Sequence, residues 1–184
     1  APSAPRADAA EPEAFADQEH FLAALRPHAE HAARRLGVPA DLLLAQAALE
    51  TGWGRSVIRR PDGSSSHNLF GIKADSRWDG PRAVVSTLEY EGGIPVRRQA
   101  PFRAYASLAE SFQDYASFVL GSARYDQAVA RAEDPAAYMR GLQQAGYATD
   151  PAYAEKVLRI WRETAAPEPA LREAAADTTG NTQA

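Results

Sequence analysis

The chain has 184 residues, of which 45% are hydrophobic and 24% are charged, and its formal net charge is −4. This balance is typical of one soluble domain and argues against nucleic-acid binding, which favours a basic chain. Cysteine is absent, which excludes disulfides, thiolate metal sites and a cysteine nucleophile. No apolar run approaches the roughly 20 residues of a membrane helix, so membrane insertion is not expected.

The composition changes at both ends of the chain. Residues 1–14 are rich in Ala, Pro and acidic side chains, and we interpret them as a disordered linker. Residues 167–184 are similar and are predicted to form a flexible tail. The first residues lack a basic start and an apolar core, so they do not resemble a secretory signal. The folded domain is therefore predicted over residues 15–166, and we expect it to be a monomer.

Two helices are predicted first. One spans about residues 15–36 and ends at Gly37, with Pro27 inside it as a possible kink. The next begins near Pro39, which suits a first helical turn, and ends at Glu50 before a left-handed cap at Gly52.

A β-hairpin is predicted next, from residues 83–90 and 94–98 joined through Gly92 and Gly93. Alternation places Thr87, Glu89 and Glu91 on one face of the first strand and Leu88 and Tyr90 on the other. Helices then resume after three capping signals, at Ser107, Asp134 and Asp150. The predicted class is α+β, mostly helical, with a small β-hairpin lobe.

Glu50 is the first candidate for catalysis. A carboxyl group in a last helical turn faces the negative end of the helix dipole, and Leu49 and Trp53 on either side could desolvate it. Both effects raise its pKa, as a general acid near neutral pH requires. Most glutamates at such positions are nevertheless simply solvated.

The hairpin supplies a candidate second acid, Glu89. Two carboxyl groups in unlike environments, one protonated and one ionised, are what glycosidic hydrolysis requires. Glu91 lies on the same predicted face and is the rival candidate. No ligand set for a metal and no cofactor motif is apparent, so neither is expected.

Aromatic and polar residues near these acids are candidates for contact with a sugar. We predict substrate binding by Trp53, Asn68, Phe70 and Tyr90, although Phe70 suits the core better. Tyr147 lies at a loop edge, where its ring and hydroxyl could either contact a sugar or pack in the core.

Five stretches in order resemble the N-acetylglucosaminidases of glycoside hydrolase family 73, and more narrowly their flagellar members. They are QAALETGWG (46–54), NLFGIK (68–73), TLEY (87–90), PFRAY (101–105) and AGYATDP (145–151). The resemblance covers about residues 21–161. It implies a lysozyme-like fold in which helical and hairpin lobes flank a substrate cleft.

The same resemblance implies a periplasmic enzyme that cuts peptidoglycan between N-acetylglucosamine and N-acetylmuramic acid. By motif position the family's acid falls on Glu50, its second carboxylate on Glu89 and its assisting tyrosine on Tyr147. The implied partners are peptidoglycan glycan strands and, through an N-terminal domain for which this chain has no room, flagellar rod proteins.

Several alternatives stay open at this point. An inverting, a retaining and a substrate-assisted route all use this pair of acids differently. A lytic transglycosylase, which needs one acid, and a non-catalytic wall-binding module are the rival functions.

Overall fold

The computed structural model describes residue 12 and residues 14–165, with the backbone alone at 88–90. The predicted linker falls almost wholly outside these residues, and the predicted tail does so entirely. The helices and strands of the described residues, in chain order, are α1 (Gln18–Leu36), α2 (Ala40–Thr51), β1 (Arg82–Glu91), β2 (Ile94–Arg103), α3 (Leu108–Gly121), a 3₁₀ turn (Ala123–Tyr125), α4 (Asp126–Ala130), α5 (Pro135–Gln144) and α6 (Tyr153–Thr164). The predicted α+β, mostly helical class is confirmed.

Helix α2 lies at the centre of the helical body. Eight of its 12 residues are buried, because α1 packs on one side and α6 on another. A helix covered all round has no need of a polar face, and the sequence of α2, ADLLLAQAALET, is accordingly rich in Leu and Ala. The last turn of α2, which contains Glu50, therefore lies at the edge of the core.

Capping groups fix the helix ends where the sequence predicted them. Gly37 ends α1 in the left-handed conformation at φ 77°, and its N–H donates to the carbonyl of Ala33. The side chains of Ser107 and Asp134 accept from backbone N–H groups in the first turns of α3 and α5. These groups satisfy helix ends that would otherwise lack partners.

Three helix starts differ from the prediction, and two short elements were not predicted. Helix α1 begins at Gln18 rather than near residue 15, and it continues through Pro27 because its buried face holds it against α2 and α3. Pro39 is the N-cap of α2 and not its first turn. Helix α6 begins at Tyr153, since the Asp150 side chain accepts from the Ala152 N–H and closes a turn before it. The short elements over 123–130 were missed, because five residues are too few to show a period.

The β-hairpin projects from the body. Its strands pair antiparallel from Arg82 opposite Arg103 to Glu91 opposite Ile94, so β2 is longer than predicted. Gly92 and Gly93 form the turn with φ of 57° and 79°, the left-handed conformation of a two-residue hairpin loop. Ala83, Ala100 and Phe102 are buried at its base, and Ile94 is 65% exposed at its tip.

The loop over residues 68–73 joins the hairpin base to the helical body. The Asn68 amide donates to the carbonyls of Ile72 and Arg103, at 2.9 Å each, and its oxygen accepts from the Ile72 N–H. Arg103 pairs in turn with Asp114 of α3, with 3.1 Å between Nη1 and Oδ2. Buried polar contacts of this kind fix the loop between the two lobes, directly above the end of α2.

None of the helices in the described part of the chain has the length and apolar character that crossing a membrane requires.

Candidate active site

Glu50 lies in the last turn of α2. Gly52 follows it in the left-handed conformation, at φ 56°, and its N–H donates to the carbonyl of Ala48. Trp53 donates to the same carbonyl at 2.9 Å, so the chain turns sharply away from the helix axis. Because the backbone turns away at this cap, it leaves the Glu50 side chain uncovered at the end of the helix.

The Glu50 side chain reaches an open cavity of about 400 Å³. We call this cavity the Glu50 pocket. Its walls are the loop after Asn68, the 3₁₀ turn, part of α3 and the segment between α5 and α6; they include Phe70, Gly71, Ile72, Lys73, Asp75, Arg77, Phe118, Arg124, Tyr125, Gly146, Tyr147, Ala148 and Thr149.

Burial raises the pKa of Glu50 from 4.5 to about 7. The main cause is desolvation, because little water surrounds the carboxyl group to stabilise its ionised form. The Tyr153 hydroxyl lies beside it and, as a donor, favours the ionised form and lowers the pKa, although it completes no hydrogen bond in this structure. A large fraction of the carboxyl groups is therefore protonated at neutral pH, as a general acid requires.

Gly71 contacts the Glu50 carboxyl group directly. A Cβ atom at this position would lie 3.0 Å from Oε2 of Glu50, and the residue has φ of 63°. A side chain here would both crowd the carboxyl group and strain the backbone. Glycine therefore lets the loop close over Glu50 and desolvate it.

Tyr147 also lines the Glu50 pocket. Its hydroxyl donates to the carbonyl of Phe70, with 2.7 Å between the oxygen atoms, and its ring stacks on that of Tyr153 at 5.8 Å. Burial raises the pKa of Tyr147 well above its usual range, so the hydroxyl keeps its proton. In this structure Tyr147 thus anchors the loop that covers Glu50, and its ring forms the wall beside the carboxyl group.

A buried polar network lies behind Glu50. Gln46, one helical turn earlier, accepts a hydrogen bond from the Tyr115 hydroxyl at 2.7 Å, and this hydroxyl also bonds to that of Tyr138 at 2.7 Å. Within the described residues, Nε2 of Gln46 and the hydroxyl of Tyr153 are buried without a hydrogen-bond partner. These residues were not predicted from the sequence. The one sign of a buried polar contact was Gln46, a lone glutamine four residues before Glu50 in a helix rich in Leu and Ala.

The two acids of the hairpin differ in their surroundings. Glu91 pairs with Arg98 across the strands, with 2.9 Å between Oε1 and Nε, and both side chains are about half exposed. Glu89 lies two residues closer to the hairpin base, opposite Val96. Arg98 is thus bonded to the rival acid. The backbone of Tyr90 lies opposite Pro95, and a role for Glu89 or Tyr90 stays a prediction.

The remaining predicted binding residues have other places in the fold. Asn68 is 2% exposed and Phe70 is 1% exposed, with the Phe70 ring stacked on Tyr115 at 4.1 Å. In this structure their side chains hold the loop and fill the core, and sugar contacts by Asn68 and Phe70 stay a prediction. Trp53 is partly buried against the edge of Phe21, at 5.6 Å, and does not line the Glu50 pocket. Among the described residues, no three His, Asp or Glu side chains cluster as metal ligands would.

A helical body, a small hairpin lobe and a buried glutamate of raised pKa at the wall of an open pocket define the architecture of a lysozyme-like glycosidase. Residues 26–166 match the model of the Glucosaminidase family, described as mannosyl-glycoprotein endo-beta-N-acetylglucosaminidase. The chain belongs to this family.

Several relatives show the same relationship. Peptidoglycan hydrolase FlgJ of Pseudomonas aeruginosa is 56% identical over 149 residues, which are 81% of this chain and 37% of that protein. Exo-glucosaminidase LytG of Bacillus subtilis is 33% identical over 82% of this chain and 52% of that protein. The chain spans between 37% and 48% of the length of the first three FlgJ relatives that it matches.

Solved structures agree with the fold. The peptidoglycan hydrolase from Sphingomonas sp. A1 superposes with a TM-score of 0.70 at 42% identity, covering 91% of this chain and 99% of that one. A C-terminally truncated glycoside hydrolase domain of Salmonella typhimurium FlgJ gives 0.66 at 43% identity, covering 80% and 97%. The lysozyme-like fold implied by the sequence is confirmed.

Proposed function

We propose that this chain is a peptidoglycan hydrolase, an endo-β-N-acetylglucosaminidase that cleaves the β-1,4 bond between N-acetylglucosamine and N-acetylmuramic acid. The observation that carries the proposal is the Glu50 carboxyl group at the wall of an open pocket, where burial raises its pKa to about 7. The family and the wall-hydrolase relatives supply the substrate class.

Glu50 acts as the general acid in this proposal. It donates its proton to the oxygen that leaves with N-acetylmuramic acid, while positive charge develops on the anomeric carbon of N-acetylglucosamine. A water molecule then supplies hydroxide to that carbon and returns a proton to Glu50. Each turnover therefore consumes one water and restores the starting protonation state.

Glu89 serves as the second carboxylate, as base or stabiliser. This role is supported by the position of Glu89 on β1 of the hairpin lobe, opposite Val96. Tyr147 contributes by holding the loop over Glu50 and by forming the wall beside the reacting sugar.

The proposed setting follows from the same relatives. Several are named peptidoglycan hydrolase FlgJ, and we propose that this domain opens the wall in the periplasm for flagellar rod assembly. Binding to rod proteins would then reside in a region outside this chain.

Product analysis tests the reaction. Mass spectrometry of digested peptidoglycan should show reducing N-acetylglucosamine ends with the native chain and none with Glu50→Gln. Anhydromuramic ends would instead establish a lytic transglycosylase. Binding to walls without any cleavage by the native chain would leave the non-catalytic module as the function.

A further inference from the structure

A second cavity, of about 490 Å³, adjoins the Glu50 pocket. Its lining is formed by the 3₁₀ turn, α4 and α5, and its polar side chains are Arg124, Gln127, Arg131, Arg140 and Gln144. We call it the arginine groove. Arg124 lines both cavities, and the chain passes directly from the groove at Ala145 to the pocket at Gly146.

The arginine groove carries three guanidinium groups, and no acidic side chain lines it. The side chain of Arg131 has no ion pair or hydrogen bond within the described residues. Arg124 lies over the ring of Tyr125, with its Cζ 4.8 Å from the centroid. Of these three arginines, Arg140 alone has an acidic partner within the described residues, Glu155 at 3.3 Å, and both of these side chains are more than half exposed. A pair so exposed is weak, so an anion can compete for Arg140.

A second observation marks the junction of the two cavities. The Tyr125 hydroxyl is buried and has no hydrogen-bond partner among the described residues, although the residue lines the Glu50 pocket. A buried polar group without a partner costs stability, and such groups are commonly satisfied by a ligand or water. Arg124 and Tyr125 thus place a guanidinium group and a buried hydroxyl where a chain leaving the pocket would enter the groove.

We propose that the arginine groove binds the carboxylates of the peptide stem carried by N-acetylmuramic acid. This inference rests on the proposed function. The sugars of a glycan strand are uncharged, whereas the stem attached to the muramic residue carries free carboxylates. Guanidinium groups pair with carboxylates through two parallel hydrogen bonds, and the amides of Gln127 and Gln144 suit a peptide backbone.

Binding measurements with an inactive protein test the proposal. The protein is Glu50→Gln, and the ligands are glycan oligomers with free stem carboxylates, glycan oligomers with amidated stems, and stem-free oligomers of N-acetylglucosamine alone, which carry no carboxylate. We expect the free-carboxylate ligand to bind about tenfold more tightly than the amidated one, as for one lost charge-assisted contact. Adding Arg131→Ala should bring this ratio close to one and leave the affinity for stem-free glycan unchanged.

Arg131 is the appropriate position because it is exposed and does not line the Glu50 pocket. The matched control is Arg159→Ala, which removes an exposed arginine of α6 that lines neither cavity and should preserve the ratio.

Three results would overturn the proposal. They are equal binding of free and amidated stems by Glu50→Gln, an unchanged ratio after Arg131→Ala, and an equal loss of affinity for stem-free glycan. Failure of the proposed function is separate from all three, because it would appear as absent reducing N-acetylglucosamine ends with the native chain.

Discussion

Replacing Glu50 with glutamine should abolish hydrolysis and at the same time stabilise the folded protein above neutral pH. The unfolded chain releases the Glu50 proton near pH 4.5, whereas burial raises the pKa in the folded protein to about 7. Between these values the folded state holds more protons than the unfolded state, so its stability falls as the pH rises. Stability linked to this proton is fully present below pH 4.5 and is lost by the time the pH has passed 7.

The magnitude follows from the difference between the two pKa values. At about 1.4 kcal/mol per pKa unit, the ionised carboxylate costs the folded state about 3 kcal/mol at pH 8. Glutamine has a similar shape and never ionises, so the variant avoids this cost. Relative to the native chain, Glu50→Gln should gain up to about 3 kcal/mol between pH 4.5 and pH 8.

Urea unfolding of both proteins at several pH values measures this gain. Any constant offset from the altered hydrogen bonding cancels, because the prediction concerns how the difference changes with pH. Glu91→Gln is the control, since its exposed ion pair with Arg98 should contribute under about 1 kcal/mol. A difference between native and Glu50→Gln that stays constant from pH 4.5 to pH 8 would show that burial does not hold the proton on Glu50.

Four further outcomes follow from the site. In the native enzyme kcat/KM should fall as the pH rises through about 7, because the general acid must be protonated, and a limb far from 7 would contradict this. Glu89→Gln should lose at least 100-fold in kcat, and Glu91→Gln much less; the opposite order in the same assay would exchange their roles. Tyr147→Phe should lower the free energy of unfolding by about 1 kcal/mol and reduce activity, since it frees the loop over the acid; unchanged urea denaturation would exclude that anchor. Tyr153→Phe should raise the pKa of the acid and move the alkaline limb upward, whereas a downward or absent movement would show that its hydroxyl does not act on the carboxyl group.

The sequence predicted well those features that depend on local signals. A glycine after a run of Leu and Ala located the end of α2, and with it Glu50, to within a residue. Gly92 and Gly93 located the hairpin turn, because few other residues adopt positive φ at two successive positions. Both features follow from short stretches of the chain, which is why one sequence is enough to find them.

The predictions were poorer where a residue's role depends on distant partners. Asn68 bonds to a carbonyl 35 residues away, and Gln46 bonds to a tyrosine 69 residues away. Neither periodicity nor turn chemistry reports on contacts at such separations. The sequence therefore gave no sign that these polar side chains are part of the framework.

The arrangement of the two lobes separates stability from catalysis. Glu50 belongs to a helix covered by the core, so the packing that stabilises the fold also desolvates the acid. The hairpin has buried side chains at its base, at Ala83 and Phe102, and an exposed tip at Ile94. Changes at the tip should therefore alter little of the free energy of unfolding. Asn68 and its contacts fix the loop at the base of the hairpin. If Glu89 is the second carboxylate, as proposed, its distance from Glu50 decides between direct attack and activation of water.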